Sequence, residues 1–290
     1  MEAIFSTLIN GLSLGGIYAM IALGYTMVYG IAKLLNFAHG DIIMVGGYLI
    51  YVFMATHNPL LAIAAAVVGC VILGVCVEKV AYKPLRGASP LAVLITAIGV
   101  SNLLQSLAQI IFGAAPKMVT VFDFGAVKLL GATIQISSLV TLVVAFAVMT
   151  ALTLFVKFTR IGRAMIAVSE DRSAAQLMGI NVNSIITITF AIGSALAALA
   201  GLFYLLKAPS ISNTLGAMPG IKAFTAAVIG GIGSIPGAML GGILLGLIES
   251  ISYKITAIAP YTDAIEFSIL ILILLVRPTG FLGKKRREKV

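Results

Sequence analysis

Ionisable and amide side chains set inside or beside long apolar runs are what this chain has to do chemistry with. Asn36, Phe37, Ala38, His39, Gly40 and Asp41 interrupt one such run with polar groups, and Lys222, Glu249, Lys254 and Glu266 fall in or beside others. Ionisable groups at membrane depth are costly and mark ion or substrate paths, so a proton relay through His39 and Asp41 is one reading. The competing reading is local. Two residues apart on a helix, the pair shares no face, and Asp41 stands where it can cap the helix that follows. Glu249 and Glu266 read as interior or interface polar groups, with Lys222 and Lys254 as available partners. Glu78 and Lys79 end another run beside Lys83 and read as side chains that snorkel to a membrane surface.

A polar, helix-forming stretch from Lys157 to Asn181 is the one sizeable polar insertion, carrying Lys157, Arg160, Arg163 and Arg172 together with Glu170 and Asp171. Basic residues beside membrane spans mark the cytoplasmic side, and a short amphipathic helix held there is a surface for a soluble partner. Other chemistries drop out. The chain has no G-x-x-x-x-G-K-[ST], so it holds no phosphate-cradling loop and is not its own ATPase. With His39 and His57 as its two histidines, no C-x-x-C and no H-E-x-x-H, it offers neither a zinc site nor a hydrolytic triad. No catalytic residue, metal or bound cofactor is expected.

These residues sit in a membrane frame. Of 290 residues 60% are hydrophobic and 10% charged, against roughly 25% charged in soluble domains. The mean hydropathy of +1.13 agrees. Thirty glycines imply close helix contacts, because small residues let backbones approach where lipid removes the usual hydrophobic drive. The net charge of +9 does not point to nucleic acid: six of the 19 basic residues, Arg277, Lys284, Lys285, Arg286, Arg287 and Lys289, form a C-terminal anchor. Cys70 and Cys76 lie six apart in one apolar run and read as buried thiols. Met1 and Glu2 open the chain without a basic stretch, so the first apolar run is expected to remain as a span.

A membrane helix needs about 20 mostly apolar residues. Runs near 4–30, 41–57, 60–80, 90–112, 136–156, 184–206, 221–252 and 263–277 meet that template and give an all-α, single-domain bundle of about eight segments over 1–290. Membrane strands are not expected of these runs, because they lack the alternation of barrel strands. The basic connection with Lys79, Lys83 and Arg86, the loop at 157–183 and the tail are expected in the cytoplasm, whereas 113–135 has only Lys117 and Lys128 against Asp123. Single crossings by the last three runs would then strand the tail outside. The suspect is 221–252, whose middle reads Gly230, Gly231, Ile232, Gly233, Ser234, Ile235, Pro236, Gly237. Each Gly costs about 1 kcal/mol and the Pro roughly 3 in a helix interior, so a discontinuous or re-entrant element is predicted.

Unwound backbone at membrane depth must be buried in protein or face water, which makes both breaks pathway candidates. Asn36, Phe37, His39, Gly40, Asp41, Gly230, Gly231, Gly233 and Ser234 are the residues so assigned. Tight packing is the competing and compatible reading. Gly233, Gly237 and Gly241 recur at four-residue spacing, as do Gly242 and Gly246, and that is a helix-contact pattern.

The strings LNFAHGDIIMVGGY (35–48), YKPLRG (82–87), EDRSAAQLMGINV (170–182), KAFTAAVIGGIGSIPGAMLGG (222–242) and RPTGFLG (277–283) resemble the permeases of bacterial branched-chain amino acid ABC importers, nearest to the shorter of the two permease subunits. The resemblance covers almost the whole chain. It implies a multi-pass protein of the bacterial inner membrane, lying in membrane lipid with its C-terminus cytoplasmic. The implied partners are a second homologous permease, two cytoplasmic ATP-binding subunits that use the ATP, and a periplasmic solute-binding protein. Leu, Ile and Val are the implied cargo. Ala174, Ala175 and Gly179 hold the spacing of the motif such permeases present to their ATPases, with Arg163, Glu170, Asp171 and Arg172 around it. His39 stands where relatives often carry another polar residue. A standalone secondary carrier or channel is the competing class.

Overall fold

The computed structural model describes residues 2–129 and 131–283. The basic residues Lys284 to Lys289, assigned to a C-terminal anchor, lie outside the described residues.

Helix boundaries follow local chemistry. Asn58 and Ser89 each precede a proline, and their side chains accept hydrogen bonds from Leu61 N at 3.2 Å and Ala92 N at 3.3 Å. They start α3 (Pro59–Val77) and α4 (Pro90–Phe112), as expected for Asn or Ser at the cap with Pro in the first turn. Asn181 caps α8 (Val182–Lys207) and Ser234 caps α10 (Ile235–Lys254) in the same way. The remaining helices are α1 (Glu2–Ala32), α2 (His39–Met54), α5 (Ile136–Phe158), α6 (Arg160–Glu170), α7 (Arg172–Leu177), α9 (Ala217–Gly230) and α11 (Thr262–Val276). Among the described residues seven helical segments are long and apolar enough to cross a membrane, while α2 and α9 are apolar but shorter. The chain is a multi-pass membrane protein, all-α as expected.

Sheet is confined to short strands. β1 (Lys117–Met118) pairs antiparallel with β4 (Ser210–Ile211), and β2 (Ala126–Leu129) with β3 (Ala132–Gln135).

Glycines set the packing. On α10, Gly242 and Gly246 press against the backbone of Ala19 and Gly15 on α1, while Gly237 and Gly241 press against Gly230 and Ala226 on α9. A methyl group at any of the four would overlap backbone atoms. The four-residue spacing therefore makes two contact stripes on two sides of one helix. Gly233 belongs to neither: its φ of 93° puts it in the turn before α10.

The run 221–252 is broken as expected, at Gly231 to Ser234, and the break resolves the crossing count. Ser250 Oγ on α10 donates to Thr7 O near the start of α1 at 2.8 Å, and Gly233 lies beside Gly30 near its end, so α1 and α10 are antiparallel. Phe281 N and Leu282 N donate to Ile229 O and Gly230 O at 2.9 Å each, which returns the chain to the face that holds the end of α1. Residues 221–252 are thus two antiparallel helices, and the described C-terminal residues share a face with α6 and α7. α9 does not start at the opposite surface: Gly216 and Gly220 pack on Gly40, and neighbouring His39 packs on Gly24 of α1. Gly24 lies eight residues, about 12 Å of helix, inside the end of α1.

Gly242→Leu should remove the α1–α10 contact outright. Loss of a monodisperse peak, or a melting temperature lowered by several degrees in detergent, is the expected result. Unchanged melting would mean that α1 and α10 do not need this approach.

Candidate functional site

The loop between α5 and α8 folds as two short helices. Thr159 Oγ1 accepts from Gly162 N at 3.0 Å to start α6, and Asp171 Oδ1 accepts from Ser173 N at 2.9 Å and Ala174 N at 3.0 Å to start α7. Asp171 is therefore the cap of α7. Arg163 and Glu170 are exposed on α6. Of the alanine pair, Ala174 is exposed and Ala175 is buried against the bundle, which seats the short helix. Gly179 turns the chain at φ 83°, a conformation that costs a side-chain-bearing residue roughly 1–2 kcal/mol. Beside it, Leu177 and Met178 are 89% and 83% exposed. These two apolar residues were not singled out in the sequence, although bulky apolar side chains in a polar loop were the available signal.

Arg172 turns inward: its Nη2 donates to Ile31 O at 3.0 Å, in the last turn of α1. Lys33, at φ 55°, also donates to the end of α1, through Gly30 O. After these two cations the chain runs non-helical from Lys33 to Leu35 and on to the start of α2. Asn36 is buried, and its Oδ1 accepts from Tyr82 OH at 2.8 Å. Tyr82 closes a π-helical turn (Glu78–Tyr82) at the end of α3. Glu78 does not snorkel: it is fully buried, pairs with Arg86 and accepts from Thr187 Oγ1 of α8 at 2.9 Å. Arg86 also donates to Asn183.

Asp41 does not cap α2. The cap position is Ala38, with no side-chain bond there, and Asp41 Oδ1 instead accepts from Gln105 Nε2 of α4 at 2.8 Å. A tertiary partner has displaced the local one. His39 points elsewhere, edge-on to Tyr25 with ring centroids 4.8 Å apart. Gly40 is buried at the start of α9, and Phe37 stands 5.4 Å, centroid to centroid, from Phe224. Of the glycine string, Gly230 packs on Gly237, Gly231 at φ 105° packs on Gly283, and Ser234 is the cap of α10. The two breaks approach one another at a recess of about 210 Å³, mouth included, lined by Tyr25, Tyr29, Leu34, Leu35, Asn36, Phe224, Ala227 and Ile232.

A second polar cluster joins four helices. Lys222 Nζ of α9 lies 3.0 Å from Glu249 of α10, and 2.8 Å and 3.3 Å from Asp263 and Glu266 of α11. Tyr18 OH of α1 donates to the other Glu249 oxygen at 2.6 Å. Lys222 and Glu249, named as available partners in the sequence, do meet. Asp263 had no signal there, because its pairing depends on how the helices cross.

A family model described as branched-chain amino acid transport system, permease component, matches residues 7–274. The chain is 44% identical to the high-affinity branched-chain amino acid transport system permease protein BraD of Pseudomonas aeruginosa, over 98% of this chain and 97% of that protein. It is 42% identical to LivH of Escherichia coli K12, a protein of the same description, over 97% and 96%. Among solved structures, an inward-facing putative metal-chelate type ABC transporter aligns with a TM-score of 0.48 at 15% identity, over 95% of this chain and 88% of that one.

Removing the cation from the buried cluster leaves carboxylates unpaired, which costs roughly 3–5 kcal/mol for a buried pair. Lys222→Met is expected to lower the melting temperature sharply, whereas Asp263→Asn, at a side chain 51% exposed, should change it little. Equal effects from the two would show that the cluster is solvated.

Proposed function

Because the chain belongs to the family of branched-chain amino acid transport system permease components, we propose that it carries leucine, isoleucine and valine across the bacterial inner membrane as one membrane subunit of an ATP-driven importer. On this reading it binds no nucleotide. Two cytoplasmic ATP-binding subunits hydrolyse ATP, a second homologous permease completes the membrane portion, and a periplasmic binding protein delivers the amino acid. The basic face that holds α6, α7 and the ends of α1 and α3 is cytoplasmic, with the C-terminus on that side.

The observation that carries the reading is the tip of the α6–α7 loop. Leu177 and Met178 stand out on a capped, two-helix protrusion, and Gly179 beside them has open space around its Cα. Apolar side chains of this size, exposed on a helix that a buried Ala175 seats on the bundle, suit a groove on a soluble protein. The starts of α2 and α9, which meet inside the bundle at Gly40 and Gly216, suit the rest of the task, since a zwitterion crossing the membrane needs polar backbone inside it. A carrier driven by an ion gradient is less well supported. Its carboxylates would be Asp41, Glu249 and Glu266, but Gln105 occupies the first and Lys222 the other two.

Replacing both Leu177 and Met178 by Glu should cut co-purification of the ATP-binding subunits at least about tenfold while leaving insertion and pairing with the second permease intact, as loss of two central apolar anchors does elsewhere. In vesicles holding the full set of subunits, leucine should accumulate only with ATP. Accumulation on an ion gradient without the ATP-binding subunits would overturn the reading.

A further inference from the structure

The α6–α7 loop does not merely sit beside the break between α1 and α2. It holds that break from one side, and the start of α8 that follows it holds the break from the other. From one side, Arg172 of α7 donates to Ile31 O at 3.0 Å and so grips the last turn of α1 directly before the chain leaves the helix. From the other side, the first turns of α8, which follow α7 after the Gly179 turn, hold the π-turn of α3. Asn183 and Thr187 bind Arg86 and Glu78, which bind each other. Tyr82 on that π-turn then holds Asn36 in the middle of the break, at 2.8 Å. Tyr82 and Asn36 are each no more than 2% exposed, so the bond between them is made away from bulk water, where a hydrogen bond is stiff and its loss costly. A π-turn is also a place where a helix shifts register at low cost.

We infer that Arg172 and Tyr82 are positioning residues that transmit movement of the α6–α7 loop to residues 33–38, one drawing on the end of α1 and the other on Asn36. Arg172 is then an inward strut and not a contact to the ATP-binding subunits. A push on α7 displaces Ile31 relative to the π-turn, and the break between them, whose backbone bonds are confined to Lys33 at one end and to Asn36 and Ala38 at the other, takes up the difference. Asn36 and Ile232 line the same recess, so the displacement reaches the point where the two broken segments approach each other. The inference rests on reading α6–α7 as the docking loop, and the experiment separates the two.

The complete importer, with all subunits, is reconstituted in vesicles as wild type, Arg172→Gln, Arg172→Lys and Tyr82→Phe. Three quantities are read: ATP-binding subunit retained on purification, ATP hydrolysed, and leucine taken up per ATP. Retention and hydrolysis should stay near wild type in all four, and uptake per ATP should fall about tenfold in Arg172→Gln, the size expected for one charge-assisted hydrogen bond. Arg172→Lys, which keeps a cationic donor, should recover part of the loss. Tyr82→Phe removes one hydroxyl and should lower uptake per ATP with the same retention. The double variant Arg172→Gln with Tyr82→Phe should lose less than the product of the two, because both act on one segment. Unchanged uptake per ATP in Arg172→Gln and in Tyr82→Phe overturns the inference. So does loss of the ATP-binding subunits from Arg172→Gln alone, which would make Arg172 a docking contact. Failure of the wild type itself to retain those subunits would instead sink the docking reading.

Discussion

Backbone amides inside a lipid bilayer have no water to turn to, and this constraint shapes both unusual parts of the structure. Where α1 gives way to α2, the free carbonyls at the helix end are met by Lys33 and Arg172, and the non-helical residues beyond are tied by Tyr82 to Asn36. Where α9 gives way to α10, the free ends are met by Ser234 and by the returning backbone of Phe281 and Leu282. Each is met by residues from distant parts of the chain, and the break after α1 runs from the face that holds the end of α1 to the start of α2 inside the bundle.

Closure requires close approach, which glycine supplies. Gly237 and Gly241 bring α10 onto α9, Gly242 and Gly246 bring it onto α1, and Gly216 and Gly220 bring the start of α9 onto Gly40. Van der Waals contact between backbones replaces the hydrophobic force that lipid cannot provide. The Lys222 cluster adds a polar tie among α9, α10 and α11 on the same short helix. A helix of 14 residues that cannot span the membrane is thus fixed along its length by contacts and a buried cation. The non-helical breaks between Lys33 and Ala38 and between Gly231 and Ser234 are held by fewer bonds, and these are the segments with least to lose by moving.

Much of this was legible from residue order. Long apolar runs name their own helices, although the caps that start four of them, Asn58, Ser89, Asn181 and Ser234, were not singled out as such. The glycine string around Gly231 announced a break, and the mismatch between basic residues and crossing number located it correctly. What remained hidden depends on which helices meet. Asp41 follows the local capping rule in sequence, yet Gln105 of α4, invisible to any local pattern, captures it. Glu78 looked like a surface charge because it sits among lysines, and only the approach of Arg86 and Thr187 buries it. Arg172 looked outward for the same reason, since its acceptor is a backbone carbonyl on α1 and leaves no trace in composition.

The central claim is that residues 33–38 yield while the glycine-packed helices hold, under the pull of the α6–α7 loop. Hydrogen exchange by mass spectrometry on the assembled importer, with and without bound nucleotide, tests it most directly. Nucleotide is expected to change protection in the segments around 33–38 and 231–234, leaving the buried backbone of α1 and α10 near Gly15 and Gly246 unchanged. Equal protection of all these segments in both states, or a change confined to α1 and α10, would contradict it.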